Sequence, residues 1–346
     1  MACAFCVCAL RIDDAYAQSS VTLYGIIDNG IEYLSNVKGH AVTELYSGVG
    51  SLNILGFLGS EDLGGGNKAI FRLESGFDSG TGLSVPSGSL FGSQAYVGLS
   101  SDKYGTFTLG NQYDLLYPLG FSPVKWITTL AAGASGGLGT SMLGNHAAGF
   151  EYGNSAKWQG VYGPLALGAM YAFGPQTSQH MMSFHAGYAS GNFSVGASYT
   201  RDNYVTSFLT TGYNVIGTRI YLIGSSYVWG NWRLMGYYSN AQSLLTSDSN
   251  HVVTGALIYQ LRPDIYLALG ADYANARNIH NVAGTQRQIE AAAYYSLSKR
   301  TQIYSAVVAA HGNGFVQTSI GIPAGQTAPS TAGGEVGARF GITTRF

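Results

Sequence analysis

The chain has 346 residues, 17 of them basic and 18 acidic, so its formal net charge is -1 and no basic surplus argues for nucleic acid. Only 10% of residues are charged, against about a quarter in an ordinary soluble domain. Gly stands at 49 and Tyr at 25, and mean hydropathy is +0.10, yet no apolar run approaches the ~20 residues of a spanning helix. That combination excludes helical membrane proteins and fits poorly with soluble folds. It suits a barrel with lipid outside and water inside.

All three cysteines, Cys3, Cys6 and Cys8, lie in the apolar stretch Ala2–Leu10, which reads as the core of a secretory signal. Ala15-Tyr16-Ala17 supplies a small-x-small cleavage pattern, although a basic n-region is missing and Arg11, Asp13 and Asp14 interrupt the approach. Removing 1–17 takes away one basic and two acidic residues, leaving 16 of each, and no cysteine. The expected organisation is a signal peptide over 1–17 and one barrel domain over 18–346.

From Ser20 onward the pattern has a period of two. Val21, Leu23, Ile27, Ile31 and Tyr33 share one parity, while Thr22, Tyr24, Asp28 and Glu32 share the other. Sixteen such segments follow in order: 20–33, 47–59, 66–77, 91–100, 105–112, 151–159, 165–173, 181–190, 193–202, 216–228, 231–240, 250–260, 265–275, 287–297, 301–311 and 335–346. Short turns (Ser190-Gly-Asn192, Arg262-Pro-Asp264, Ser298-Lys-Arg300) alternate with long connections over 34–46, 78–90, 113–150, 203–215 and 312–334. Short turns at one rim and long loops at the other predict an all-β, transmembrane, antiparallel up-and-down barrel of sixteen strands. The third long connection, 113–150, is long enough to fold into the lumen and narrow it.

Several stretches resemble the trimeric, sixteen-stranded general porins of Gram-negative bacteria. They include Ser20-Val-Thr-Leu-Tyr-Gly25 with Asp28, Gly59-Ser-Glu-Asp-Leu-Gly-Gly-Gly66, Lys68-Ala-Ile-Phe71 and Leu73-Glu-Ser-Gly-Phe77. Further matches are Gln94-Ala-Tyr-Val-Gly-Leu-Ser100, Gln112-Tyr-Asp114, Asn154-Ser155 with Lys157, and Leu297-Ser-Lys-Arg-Thr301. The resemblance implies an outer-membrane homotrimer, in contact with lipid and lipopolysaccharide, that passes small hydrophilic solutes and ions. It implies that Phe346 is the signal read by the barrel-assembly machinery. It also implies a basic ladder on the wall opposite acidic residues on loop three.

Here the ladder departs from the family pattern. Ile54 and Leu58 stand where an arginine and a lysine are expected, on the inward parity of Gly56; Asn111 and Glu151 replace two more arginines. Between Asp114 and Glu151 the only ionic side chain is Lys125. The expectation is a weakly charged constriction, with Tyr24, Asp28, Ile54, Leu58, Arg72, Glu74, Asn111, Asp114, Lys125, Glu151, Lys157 and Arg233 as candidate pore-lining residues. Asp272, Glu290 and Arg339 also fall on inward parities.

Other chemistry finds little footing. None of the seven histidines sits in a Gly-x-Ser-x-Gly elbow, so no enzyme is expected. No His pair at i, i+4 with acidic support and no Asp-rich calcium loop occurs, and neither metal nor cofactor is expected. The tyrosines and tryptophans near strand ends (Tyr33, Tyr227, Trp229, Trp232, Tyr259, Tyr273) read as interfacial girdles. The alternative is a substrate-specific channel for a neutral or aromatic solute class, with Tyr113, Tyr117 and Trp126 lining loop three.

Overall fold

The structure is a computed structural model. It describes residues 19–48, 52–85, 88–116, 151–174, 180–207, 214–244, 249–277, 280–314, 330–331 and 333–346, with the backbone alone over 204–207 and 214–216. The expected signal peptide and most of the connection 113–150 lie outside these residues. Eighteen strand segments form one sheet. They are β1 (Ser20–Val37), β2 (His40–Ser47), β3 (Ile54–Gly64), β4 (Asn67–Phe77), β5 (Ser84–Val85), β6 (Gln94–Ser101), β7 (Gly105–Tyr113), β8 (Glu151–Tyr162) and β9 (Leu165–Phe173). The second half comprises β10 (His180–Ser190), β11 (Phe193–Ser207), β12 (Asn214–Trp229), β13 (Trp232–Ser243), β14 (Ser249–Arg262), β15 (Ile265–Arg277), β16 (Ala283–Ser296), β17 (Thr301–Gly314) and β18 (Gly334–Arg345).

Every pairing is antiparallel, and β18 returns to β1, with Asp28 opposite Thr343 and Glu32 opposite Arg339. β2 and β3 both pair with β1, the one above Asn29 and the other below Ile26, so together they make a single stave. β5 only adds two residues to β4. The result is a closed barrel of sixteen staves, as the sequence pattern predicts.

Alternation sets the two faces. Along β1, Val21, Leu23, Ile31 and Tyr33 are exposed on the outside, whereas Asp28 and Glu32 are fully buried on the inside. A backbone paired on both edges leaves its side chains as the only contact with either solvent. Trp232 and Tyr259, outward neighbours with ring centroids 4.4 Å apart, belong to an aromatic girdle at the short-turn rim. Gly191 and Gly230 open two of the short turns with φ of +56°, the position that a II′ hairpin reserves for glycine.

The first long connection is corrected. Residues 34–46 are mostly strand: β1 runs on to Val37, turns at Lys38–Gly39 with φ of +54° and +93°, and returns as β2. Positive φ at both central residues is the I′ geometry, and the Asn36 side chain accepts from Gly39 N at 2.8 Å. The expected strand 47–59 is therefore interrupted, and the break is sealed by polar contacts. Asn53 Oδ1 accepts from Asp28 N (2.5 Å), and its Nδ2 donates to Ser47 Oγ (2.7 Å) and Ser79 Oγ (3.1 Å). At the ends of the connection 203–215, β11 continues to Ser207 and β12 starts at Asn214.

Candidate functional site

The inner wall carries the candidate residues. Register places Tyr24, Gly56, Glu74 and Gln94 in one row across four neighbouring staves. Tyr24 Oη donates to Glu74 Oε1 (2.6 Å), Arg72 Nε donates to Tyr24 Oη (2.8 Å) and Arg72 Nη2 donates to Glu74 Oε1 (2.7 Å). Gln94 Nε2 completes the set on Glu74 Oε2. Gly56 makes this geometry feasible, because a Cβ there would stand 2.5 Å from Tyr24 Cζ. Leu58 lies in the adjacent row, between Thr22 and Arg72, and Ile54 stands opposite Ile26. Both share the inward parity of Gly56, so this part of the wall presents aliphatic side chains beside the Arg72–Glu74 pair.

Asp28 is fully buried and accepts from Tyr304 Oη (2.9 Å) and Thr343 Oγ1. Glu32 and Arg339 form a two-point ion pair, Nε to Oε2 at 3.0 Å and Nη2 to Oε1 at 2.9 Å, across the β1–β18 closure. Arg233 shares the inward parity of Met235 and Tyr237 near the short-turn rim. Asp272 accepts from Thr254 Oγ1 and from Gln288 Nε2 (3.3 Å).

Beyond β7 the chain leaves the wall. Lys157 Nζ donates to the Tyr113 carbonyl (3.0 Å). Thr200 Oγ1 donates to Asp114 Oδ2 (3.3 Å), Leu115 N donates to Ser183 Oγ (3.3 Å) and Ser198 Oγ donates to the Leu115 carbonyl (3.0 Å). Residues 113–116 thus pass from β7 onto the inward side chains of β10 and β11. Leu116 packs with Ile220, Leu222, Met235 and Tyr237 on the inner face of β12 and β13. Lys125, Tyr117 and Trp126 lie outside the described residues.

One candidate falls elsewhere, and a second, Glu151, is displaced in register. Asn111 pairs with Ala95 on the alternation of Leu109, off the inward set of Thr108 and Gln112, and its amide donates to the Gly92 carbonyl (2.8 Å). Plain alternation between Thr108 and Gln112 puts Asn111 there, and the β7–β8 register shift between Gly110 and Gln112 adds its extra residue on the β8 side, with Asn154 at φ +50°. The same shift separates Glu151 from the row of Lys157 and sets it opposite Tyr113. Sequence reasoning missed Asn53, Thr343 and Tyr304 around Asp28, although Thr343 shares the parity of Arg339. It also missed the apolar inner patch on β12 and β13, where apolar residues occupy both parities.

A closed barrel with an apolar exterior and a polar, charged wall inside defines a transmembrane β-barrel of the channel class. The chain belongs to the Gram-negative porin family, whose profile matches residues 14–314. An outer membrane porin protein of Bordetella pertussis is 44% identical over 115 residues, 29% of this chain and 30% of that protein. The major outer membrane protein P.IB of Neisseria meningitidis is 30% identical over 230 residues, 61% of this chain and 62% of that protein. The chain thus spans less than two thirds of the length of these relatives. In structure it is similar to an anion-selective porin from Comamonas acidovorans, with a TM-score of 0.78 at 22% identity, covering 95% of this chain and 100% of that one. Porins of this family reside in the bacterial outer membrane and are typically trimeric.

Proposed function

We propose that the protein is a passive diffusion channel for small hydrophilic solutes and ions, with a weak field at its constriction. The observation that carries this reading is the pairing of inward charges: Arg72 is held by Glu74 and Arg339 by Glu32. A cation–anion pair a few ångströms apart presents a dipole to a passing ion, and its field falls off faster than that of a ladder of like charges. Ile54 and Leu58 thin the charge further. Inward carboxylates on β14–β18, among them Asp272, Glu290 and Glu335, outnumber the inward arginines there, so any residual preference is for cations. The remaining proposed lining residues are Tyr24, Asp28, Asp114, Lys157 and Arg233, with Lys125 contributed by the long connection. Three copies assemble side by side, Phe346 serves as the signal for the assembly machinery, and 1–17 is the export leader.

Single-channel recording of the refolded mature chain in a planar bilayer under a salt gradient tests the reading. Steps in threes, with a reversal potential within a few millivolts of zero on the cation side, are expected. A strong anion preference would sink the paired-charge argument, and absence of channels would sink the diffusion reading itself.

A further inference from the structure

Glu290 on β16 is an inward carboxylate that the barrel does not answer. It is 7% exposed and, among the described residues, makes no hydrogen bond or ion pair. Its side chain leans across onto β15, where a Cβ on Gly270 would stand 2.7 Å from Glu290 Oε1. Asp272 follows two residues further along that strand, roughly 7 Å away. It accepts from Thr254 Oγ1 and from Gln288 Nε2 (3.3 Å), both neutral donors. Gln288 is 4% exposed, and with its Nε2 turned to Asp272 its Oε1 has no partner. Buried polar atoms almost always find one, so an unanswered acid beside an unanswered acceptor calls for donors from outside the chain.

Toward the short-turn rim the wall turns small and apolar. Register sets Ile258, Ala268, Ala292 and Ala306 side by side across β14–β17. That row ends in Arg233 on β13 and Arg339 on β18. Neither arginine pairs with Glu290: Arg339 is held at two points by Glu32, and Arg233 stands three staves away. One row further on, Tyr266 and Tyr294 stack with ring centroids 4.4 Å apart and close the trough. Glu290 and Tyr294 are four residues apart on β16, so the trough runs roughly 14 Å along the strand.

A primary ammonium carries one charge and three N–H donors, which match the acceptors of Glu290, Asp272 and Gln288. An apolar body on the same molecule covers Ala268 and Ala292 while the ammonium meets the carboxylates, and the tyrosine floor suits an aromatic tail. A divalent metal ion needs more oxygens than these and makes no use of the trough. Among the described residues, no three His, Cys, Asp or Glu side chains converge on such an ion. We infer that this face of the lumen binds primary amines bearing an arylalkyl body, retaining them among the small solutes that enter the pore. The inference rests on the diffusion reading, which brings such solutes to the inner wall.

The test uses the full chain refolded in detergent and titrated calorimetrically with phenethylamine. The comparison probes are phenethyl alcohol, which lacks the charge, methylamine, which lacks the body, and calcium chloride. Phenethylamine is expected to bind the parent at least about tenfold more tightly than any of the three, and to bind E290Q and D272N about tenfold more weakly. Both variants are titrated as barrels that keep the electrophoretic shift of the folded state, and either one suffices if the other fails to fold. Variant binding within about twofold of the parent would overturn the inference, as would phenethyl alcohol or calcium binding as tightly as phenethylamine. Channel recording of the parent separates the two readings. A parent that conducts without binding the amine would sink the site alone. One that binds the amine without conducting would strike the diffusion reading and leave the site standing.

Discussion

Replacing Arg339 by Met isolates the energetics of barrel closure. Its guanidinium meets Glu32 at two points, and the two side chains are 2% and 0% exposed. Glu32 is also opposite Glu44 on β2, so removing the cation leaves two carboxylates facing each other. Stripping one partner from a buried ion pair typically costs about 3–5 kcal/mol, because the surviving charge remains desolvated. Replacing both partners by apolar residues of similar volume is often near neutral. The expected outcome is a loss of about 3–5 kcal/mol in Arg339→Met, a comparable loss in Glu32→Met, and recovery of most of it in the double variant. Urea unfolding in micelles, followed by tryptophan fluorescence and by the electrophoretic shift of the folded barrel, measures all four corners of the cycle. A single-variant cost below about 1 kcal/mol, or a double variant as unstable as the sum of the singles, would refute the reasoning.

Arg72→Gln removes a cation from the wall while Tyr24 and Gln94 still hold Glu74, and the channel should shift toward cations by about twofold in permeability ratio, read as reversal potential. Gly25→Val places a Cβ 2.4 Å from Phe346 Cζ and 2.7 Å from the Ile54 carbonyl, and should cost about 1–3 kcal/mol, visible as a lower unfolding temperature on gels. Lys157→Met cuts the bond to the Tyr113 carbonyl, and about 1–3 kcal/mol less anchoring there should raise open-channel noise while conductance steps persist.

The barrel was legible wherever a strand separates two solvents. In β1 from Val21 to Tyr33, lipid selects Leu23, Ile27 and Ile31 on one side, and the interior selects Asp28 and Glu32 on the other. Legibility failed where that contrast stops. Ser35-Asn36-Val37 and His40-Ala41-Val42 belong to a hairpin at the rim, where no lipid-facing apolar row is demanded, so the period of two fades although the ladder continues. Parity arguments also assume an unbroken register. Pairing puts Gly56, Leu58 and Arg72 on one parity, whereas the extra residue on the β8 side of the Gly110–Gln112 shift moves Tyr152 and Glu151 off the alternation of Ser155 and Lys157. Leu115 and Leu116 read as loop residues, since nothing local reveals that inward side chains of β10–β13 await them.

The closure of the barrel has a kinetic consequence. Each neighbouring pair of staves but one joins stretches adjacent in sequence, so most of the sheet can zip up hairpin by hairpin at small loop-closing cost. The remaining pair joins β1 to β18, where Gly25 N donates to the Phe346 carbonyl at 3.1 Å and Phe346 N donates to the Gly25 carbonyl at 3.1 Å. Until Phe346 arrives, the outer edge of β1 and the growing edge of the sheet both present unpaired amides and carbonyls, the groups that recruit foreign strands. A chain stalled short of β18 is therefore a two-edged sheet open to aggregation, and the final step of folding removes both edges at once.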